Sequence, residues 1–150
     1  MRNFIIFLCF LSIWSCKTDK DDIDCSLYDF ESRSLFIKLV DTEGNNLIEN
    51  ETYNADDIII LFNDYEIKNV VVKNVESINN LVVLNLIGTA GDNEFNIKLS
   101  NTEIDNLVLS LTAESAVCGY TFFKLNSVNY NGNNKIIEDF KGDYLITVIK

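Results

Sequence analysis

The side chains able to do chemistry in this chain are four cysteines, a polar loop beginning at Asp41, and Tyr130, a tyrosine set between asparagines. What is missing narrows the chemistry further. The chain has no histidine. That excludes Ser-His-Asp and Cys-His triads, histidine metal sites and histidine acid–base catalysis. Its glycines form no phosphate-binding loop. Two carboxylates can hydrolyse a glycoside, but among 23 acidic residues a suitable pair arises by chance. The expectation is therefore a non-catalytic protein, with an enzyme of unrecognised type as an alternative. Asp41, Glu43, Asn45 and Asn46 offer the oxygen ligands that Ca²⁺ prefers. Their loop lacks a full acidic ladder ending in glutamate, so it reads first as a polar hairpin loop and only weakly as a Ca²⁺ site. No other cofactor is expected.

Two of the cysteines, Cys9 and Cys16, fall in a segment that addresses the chain. Met1-Arg2-Asn3 precedes an apolar run over 4–14, and the small Ser15 stands before Cys16. The run is too short to cross a bilayer, which takes about 20 residues, and residues 1–15 read as a signal peptide. With Ile13 three positions before Cys16 and Ser15 next to it, the segment resembles the signal of bacterial lipoproteins. That resemblance implies cleavage before Cys16 and lipid attachment to its thiol. Residues 16–24 form a charged tether. Within it Lys17, and above all Lys20-Asp21-Asp22, are similar to the export signal of Bacteroidota-type surface lipoproteins. This implies outer-membrane attachment and outward display, with the periplasmic face as the alternative. The membrane is then a partner through the N-terminal lipid.

Cys25 and Cys118 are left over. An even pair in an exported chain points to a disulfide, joining the start of the domain to a late strand. The alternative is two separate buried thiols. A two-cysteine metal site is disfavoured without histidine or further sulfur nearby. The net charge of −11 argues against nucleic acid and anionic membrane as partners of the domain itself. A protein or a glycan at the cell surface stays open. The lack of proline and the wealth of asparagine and isoleucine are read as base composition, not as a structural signal.

The elements that must position these groups read as strands. Leu35, Ile37 and Leu39, then Phe95, Ile97 and Leu99, then Leu107, Leu109 and Leu111 alternate with their neighbours, as in half-buried strands. Residues 58–62, 70–72, 81–87, 120–125 and 144–149 are richer in continuous apolar or β-branched residues. Turns are expected at 41–46, 63–64, 88–93 and Asn131-Gly132. Single helical turns are the most that 54–57 or 101–105 would form, the second bridging two sheets. Residues 25–150 then make one all-β domain, an antiparallel β-sandwich of about seven to nine strands, with a β-barrel as the alternative. Val40 followed by Asp41, Gly44 and Leu47 weakly resembles the first hairpin of prealbumin-like or Ig-like modules, with Asn46 where those carry proline. That supports a sandwich and implies no function. Among the aromatics near the C-terminal end, Tyr120, Phe122, Phe123 and Tyr144 are expected in the core. Tyr130 is expected at a loop tip, where an aromatic ring anchors ligands. A glycan-binding accessory protein of nutrient uptake is the alternative that such an exposed ring would favour.

Overall fold

The computed structural model describes residues 24–27 and 32–150. The signal peptide, Cys16 and the Lys17, Lys20, Asp21 and Asp22 segment lie outside the described residues. The chain folds into two β-sheets. In order it forms β1 (Ser34–Val40), β2 (Ile59–Phe62), β3 (Tyr65–Ile67), β4 (Val82–Asn85), β5 (Gly91–Lys98), β6 (Ile104–Ser115), β7 (Thr121–Tyr130), β8 (Asn133–Lys135), β9 (Glu138–Phe140) and β10 (Asp143–Ile149). One sheet has the order β4-β1-β10-β9, the other β3-β2-β5-β6-β7-β8. Both sheets are open, so the barrel alternative is excluded. The count passes the expected seven to nine because β3, β8 and β9 are three-residue strands, too short to leave a pattern in sequence.

The inward faces follow the alternation. Leu35, Ile37 and Leu39 of β1 and Ile146 and Val148 of β10 meet Phe95, Ile97, Leu107, Leu109 and Leu111 of the opposite sheet in one buried cluster. At about 25 cal/mol per Å² of apolar surface, this burial is the main favourable term for the fold. Leu47, Ile48, Tyr53 and Ile58, from the long connection between β1 and β2, join the same cluster.

Three expectations are corrected. β1 and β10 pair in parallel, Leu35 opposite Tyr144 through Val40 opposite Ile149, so the sandwich is not purely antiparallel. Residues 70–72 form no named strand; they make one isolated bridge, Val71 to Val82, flanked by backbone bonds from Val83 N to Val70 O at 2.7 Å and from Val72 N to Leu81 O at 3.0 Å. Residues 101–105 form no helical turn between sheets. They close the β5–β6 hairpin, where Glu103 O accepts from Leu99 N at 2.9 Å, and Ile104 and Asp105 already belong to β6.

Turn chemistry behaves as its residues dictate. Asn131 (φ 50°) and Gly132 (φ 78°) close the β7–β8 hairpin, both left-handed as a type I′ turn requires. In β7 the register shifts between Ser110 and Leu111 of its partner strand, leaving Asn126 as an extra residue between Leu125 and Ser127. The bulge resets the alternation. Leu125 and Val128, an odd distance apart in sequence, both reach the core. At the opposite end of the molecule Arg33 fastens the start of β1. Its guanidinium lies 3.9 Å from the Tyr144 ring centroid and donates to the Gly142 carbonyl, while Ser34 N donates to Asp143 Oδ1 at 2.7 Å.

Candidate functional site

Cys25 and Cys118 are joined by a disulfide, with 5.6 Å between their Cα atoms, well inside the span such a bond can bridge. Cys118 sits not in a strand but in the 3-10 turn Val117–Gly119 that links β6 to β7, with φ 67°. The bond therefore ties the N-terminal segment to a hairpin tip.

The loop at 41–46 is a tight turn whose side chains serve the turn itself. Asp41 Oδ1 accepts from the backbone N of Glu43 and Asn45 at 2.9 Å, and Asp41 Oδ2 accepts from Asn45 Nδ2 at 2.9 Å. These bonds hold the Asp41 carboxyl below its ordinary pKa, the one from the Asn45 side chain most of all. Gly44, at φ 89°, supplies the left-handed residue of the turn. Among the described residues no group of three histidine, cysteine or acidic side chains is gathered to hold a metal. Asn46, at the position of the proline in the resembled hairpin, uses its side chain differently. Its Oδ1 caps Ile48 N at 2.9 Å, and its Nδ2 donates to Asn80 O at 3.0 Å, tying this loop to the one before β4.

Tyr130 is not a loop-tip anchor. It is the last residue of β7, 2 % exposed, and packs in the core. It lies in phase with Val128, so its ring faces inward, and the turn begins only after it. Its hydroxyl donates to Asp105 Oδ2 at 2.7 Å. Asp105, 4 % exposed, was not singled out by the sequence reading. The signal was present: it stands two residues before Leu107, in phase with the buried face of β6. Around it lies a compact polar cluster. Asn131 Nδ2 donates to Asp105 Oδ1 at 2.7 Å, and Lys150 Nζ donates to Asp105 Oδ2 and to Glu103 Oε1 at 2.6 Å each. The Tyr53 hydroxyl donates to Glu103 at 3.0 Å.

The electrostatics of this cluster are those of a closed structural knot. Burial alone would raise the Asp105 carboxyl, but hydrogen bonds from Lys150, Tyr130 and Asn131 outweigh it and hold the pKa below its ordinary value. Burial would lower the Lys150 ammonium, and the two carboxylates beside it more than reverse that. Burial, aided by Glu103, pushes Tyr53 up to about 12. Burial and Asp105 raise Tyr130 further. Both Asp105 oxygens are taken up by partners, so a substrate would have to displace a charge-assisted hydrogen bond to reach them.

Space for a ligand lies elsewhere, against the outer face of the four-stranded sheet. A groove of about 880 Å³ has Lys38 of β1, Leu145 of β10 and Phe140 of β9 on its floor and side, with Asn45, Asn46, Glu49 and Asn50 from one loop and Ser77 and Asn79 from another as walls. The Asn46–Asn80 bond joins those two loops. Phe140 is held edge-on by Phe36, ring centroids 5.7 Å apart. Phe36 is itself buried. Part of each amide is already committed: Asn50 Oδ1 accepts from Thr52 N and Asn79 Oδ1 from Asn74 N. Asn50 Nδ2 and Asn79 Nδ2 are left to donate, and Asn45 Oδ1 to accept. The groove carries one ammonium, Lys38, and one carboxylate, Glu49, so it is close to neutral in an otherwise acidic domain.

No protein-family model, no curated protein and no solved structure matches the chain.

Proposed function

We propose that the chain is a lipid-anchored outer-membrane protein, displayed outward, that binds a ligand without transforming it. The observation that carries the binding reading is the groove on the outer face of the β4-β1-β10-β9 sheet. Its volume of about 880 Å³ falls within the range of small-molecule sites, roughly 300–1,000 Å³. Its polar groups are amides with hydrogen-bonding atoms to spare, set beside an aromatic ring. The groove holds a single carboxylate, Glu49, where glycoside hydrolysis takes two. The polar cluster around Asp105 has every carboxylate oxygen of that residue engaged. The anchor rests on the sequence pattern ending at Cys16.

The near-neutral lining and the mix of Phe140 with Asn45, Asn50 and Asn79 favour a neutral, hydroxyl-rich ligand, in keeping with a glycan-binding accessory role. Amides bond hydroxyl groups as both donor and acceptor, and an aromatic ring packs against the apolar face of a sugar. Calorimetric titration of the mature protein with neutral oligosaccharides is expected to show binding with the saccharide recovered unchanged. Asn50→Ala and Asn79→Ala should each weaken binding by about threefold to tenfold, one hydrogen bond apiece, with the melting temperature nearly unchanged. Cleaved saccharide, or affinity indifferent to both substitutions, would reject the reading.

The anchor has its own test. Labelling with a fatty-acid analogue in the native host should be lost in Cys16→Ala. Replacing Lys20, Asp21 and Asp22 with alanine should lower protease accessibility on intact cells. Equal labelling of wild type and Cys16→Ala removes the anchor. Unchanged accessibility removes only the export signal.

A further inference from the structure

The β6–β7 ladder does not end where the rest of its sheet ends. β5 stops pairing at Gly91 opposite Leu111, but β6 and β7 continue for four more rungs, from Thr112 opposite Lys124 to Ser115 opposite Thr121. At about 3.4 Å per residue, this arm reaches about 14 Å past its neighbour strand. Alternation divides its side chains. Phe123 turns inward and packs against the core. Tyr120, Phe122 and Lys124, at alternate positions, share the other face, with Tyr120 53 % and Phe122 38 % exposed. This departs from the expectation that both rings belong to the core. Over 112–124 the arm holds one acid, Glu114, and one base, Lys124. Glu114 is opposite Phe122 on the same face and half-buried.

The disulfide decides where this arm sits relative to the anchor. Cys25 is bonded to Cys118 at the arm's tip, next but one to Tyr120. Only nine residue steps separate Cys16 from Cys25, at most about 32 Å of extended chain. Without the bond the leash would run to β1, whose first residue, Ser34, is eighteen steps from Cys16, at most about 65 Å of extended chain. The bond thus roughly halves the leash and attaches it to a surface where exposed aromatic rings lie beside a lysine without an excess of carboxylates. Aromatic rings and lysine are the side chains that settle at a bilayer's headgroup level, ring inward and ammonium in the water.

We propose that the tip of the β6–β7 arm docks on the lipid surface that holds the anchor, with Tyr120 and Phe122 seated at the headgroup level and Lys124 beside them. This rests on the reading of Cys16 as the lipidated residue. Docking fixes the orientation of the domain. The Val40 end of β1 lies with the Ile104 end of β6, since Lys150 N donates to Val40 O while Lys150 Nζ pairs with Asp105. That end is the far end of β6 from the arm. The Asn45–Asn46 end of the groove therefore faces away from the membrane, open to ligand from outside.

The chain's single tryptophan is Trp14, within the segment removed before Cys16, so a tryptophan placed on the arm is a unique reporter. The lipidated mature protein carrying Phe122→Trp is reconstituted into phosphatidylcholine vesicles with and without brominated acyl chains. Tyr120→Trp, on the same face, provides a second reporter if the first substitution disturbs folding. Ile104→Trp, at the exposed start of β6, is the control. The arm reporters should shift to the blue on the vesicles and lose more than about half their intensity to brominated lipid, as rings at the interface do, while the Ile104→Trp emission stays unchanged. Protein that floats with the vesicles while its arm reporters remain water-exposed overturns the docking and leaves the anchor standing. Protein that does not float overturns the anchor and the docking with it. A blue shift that grows with protein concentration in the absence of vesicles means the arm meets a second copy of the chain, and also overturns the proposal.

Discussion

Cys118→Ser is expected to lower the stability of the folded chain by up to about 4–5 kcal/mol, the value chain-entropy arguments assign to closing a loop of this length. The bonded residues are 93 apart in sequence, so opening the bond returns a large conformational freedom to the unfolded chain. Neither cysteine belongs to the buried apolar cluster, so the two sheets should persist and simply melt earlier. Cys25→Ser should cost about as much, and the double substitution little more than either, because one bond cannot be lost twice. Position 118 adds a second discrimination. Its φ of 67° is strained for any side chain, so Cys118→Gly should be milder than Cys118→Ser by about 1 kcal/mol. Denaturant midpoints measured without reductant check both. Quantitative labelling of both thiols in the unreduced protein, or additive losses in the double variant, would refute the bond.

The second large effect is expected at Asp105. Asp105→Ala should destabilise the domain by about 3–5 kcal/mol, the usual cost of breaking a buried ion pair. The Tyr130 hydroxyl would be left buried without its acceptor, and Lys150 would keep only Glu103. Asp105→Asn should cost less, since an amide oxygen still accepts from Tyr130. The pH dependence follows from the directions of the shifts. Asp105 is depressed in the folded state. Its contribution is complete above the unfolded carboxylate value near 3.9 and is lost as pH falls through the folded value. Lys150 is raised, so its contribution is complete below the unfolded value near 10.4 and is lost as pH rises through the folded one. The tyrosines act in the same direction as Lys150. Unfolded tyrosine ionises near pH 10 while Tyr53 holds its proton to about 12, so stability declines across that interval. Stability measured against pH should fall at both ends. Asp105→Asn should flatten the acid limb and Tyr53→Phe part of the alkaline limb. An acid limb identical in wild type and Asp105→Asn would remove Asp105 from the account.

Much of the fold is legible in the residues themselves. The alternation of Phe95, Ile97 and Leu99 marks the core face of β5 and runs on into the connection after it. Asn131-Gly132 marks the hairpin that follows β7. The same alternation reaches two charged residues. Asp105 is in phase with Leu107, and Lys150 with Ile146 and Val148. A charge in phase with an apolar face is one that burial will force to find a partner. The polar neighbours of Tyr130 suggest a loop, yet its phase with Val128 places it inside. The abundance of asparagine is more than base composition. Among the described residues, five of the eight non-glycine positions with positive φ are asparagines, at 63, 69, 74, 80 and 131, so asparagine has a structural use in a chain without proline turns.

Strand alternation and turn residues are enough to mark the chain as all-β, to say which face of most strands turns inward, and to place the tightest turns. Those properties are local: side chains point to alternate faces along a strand, and left-handed φ is open to few residue types. It takes the assembled sheets to show that the first and last strands lie parallel, that Asp105 meets Tyr130 and Lys150, that the disulfide grips a hairpin tip, and that two distant loops wall a groove over β1 and β10. Each of these depends on which strand lies beside which and in what register. An alternating strand presents the same inward face to many possible neighbours, so its own pattern fixes the face and leaves the neighbour to the packing of the whole.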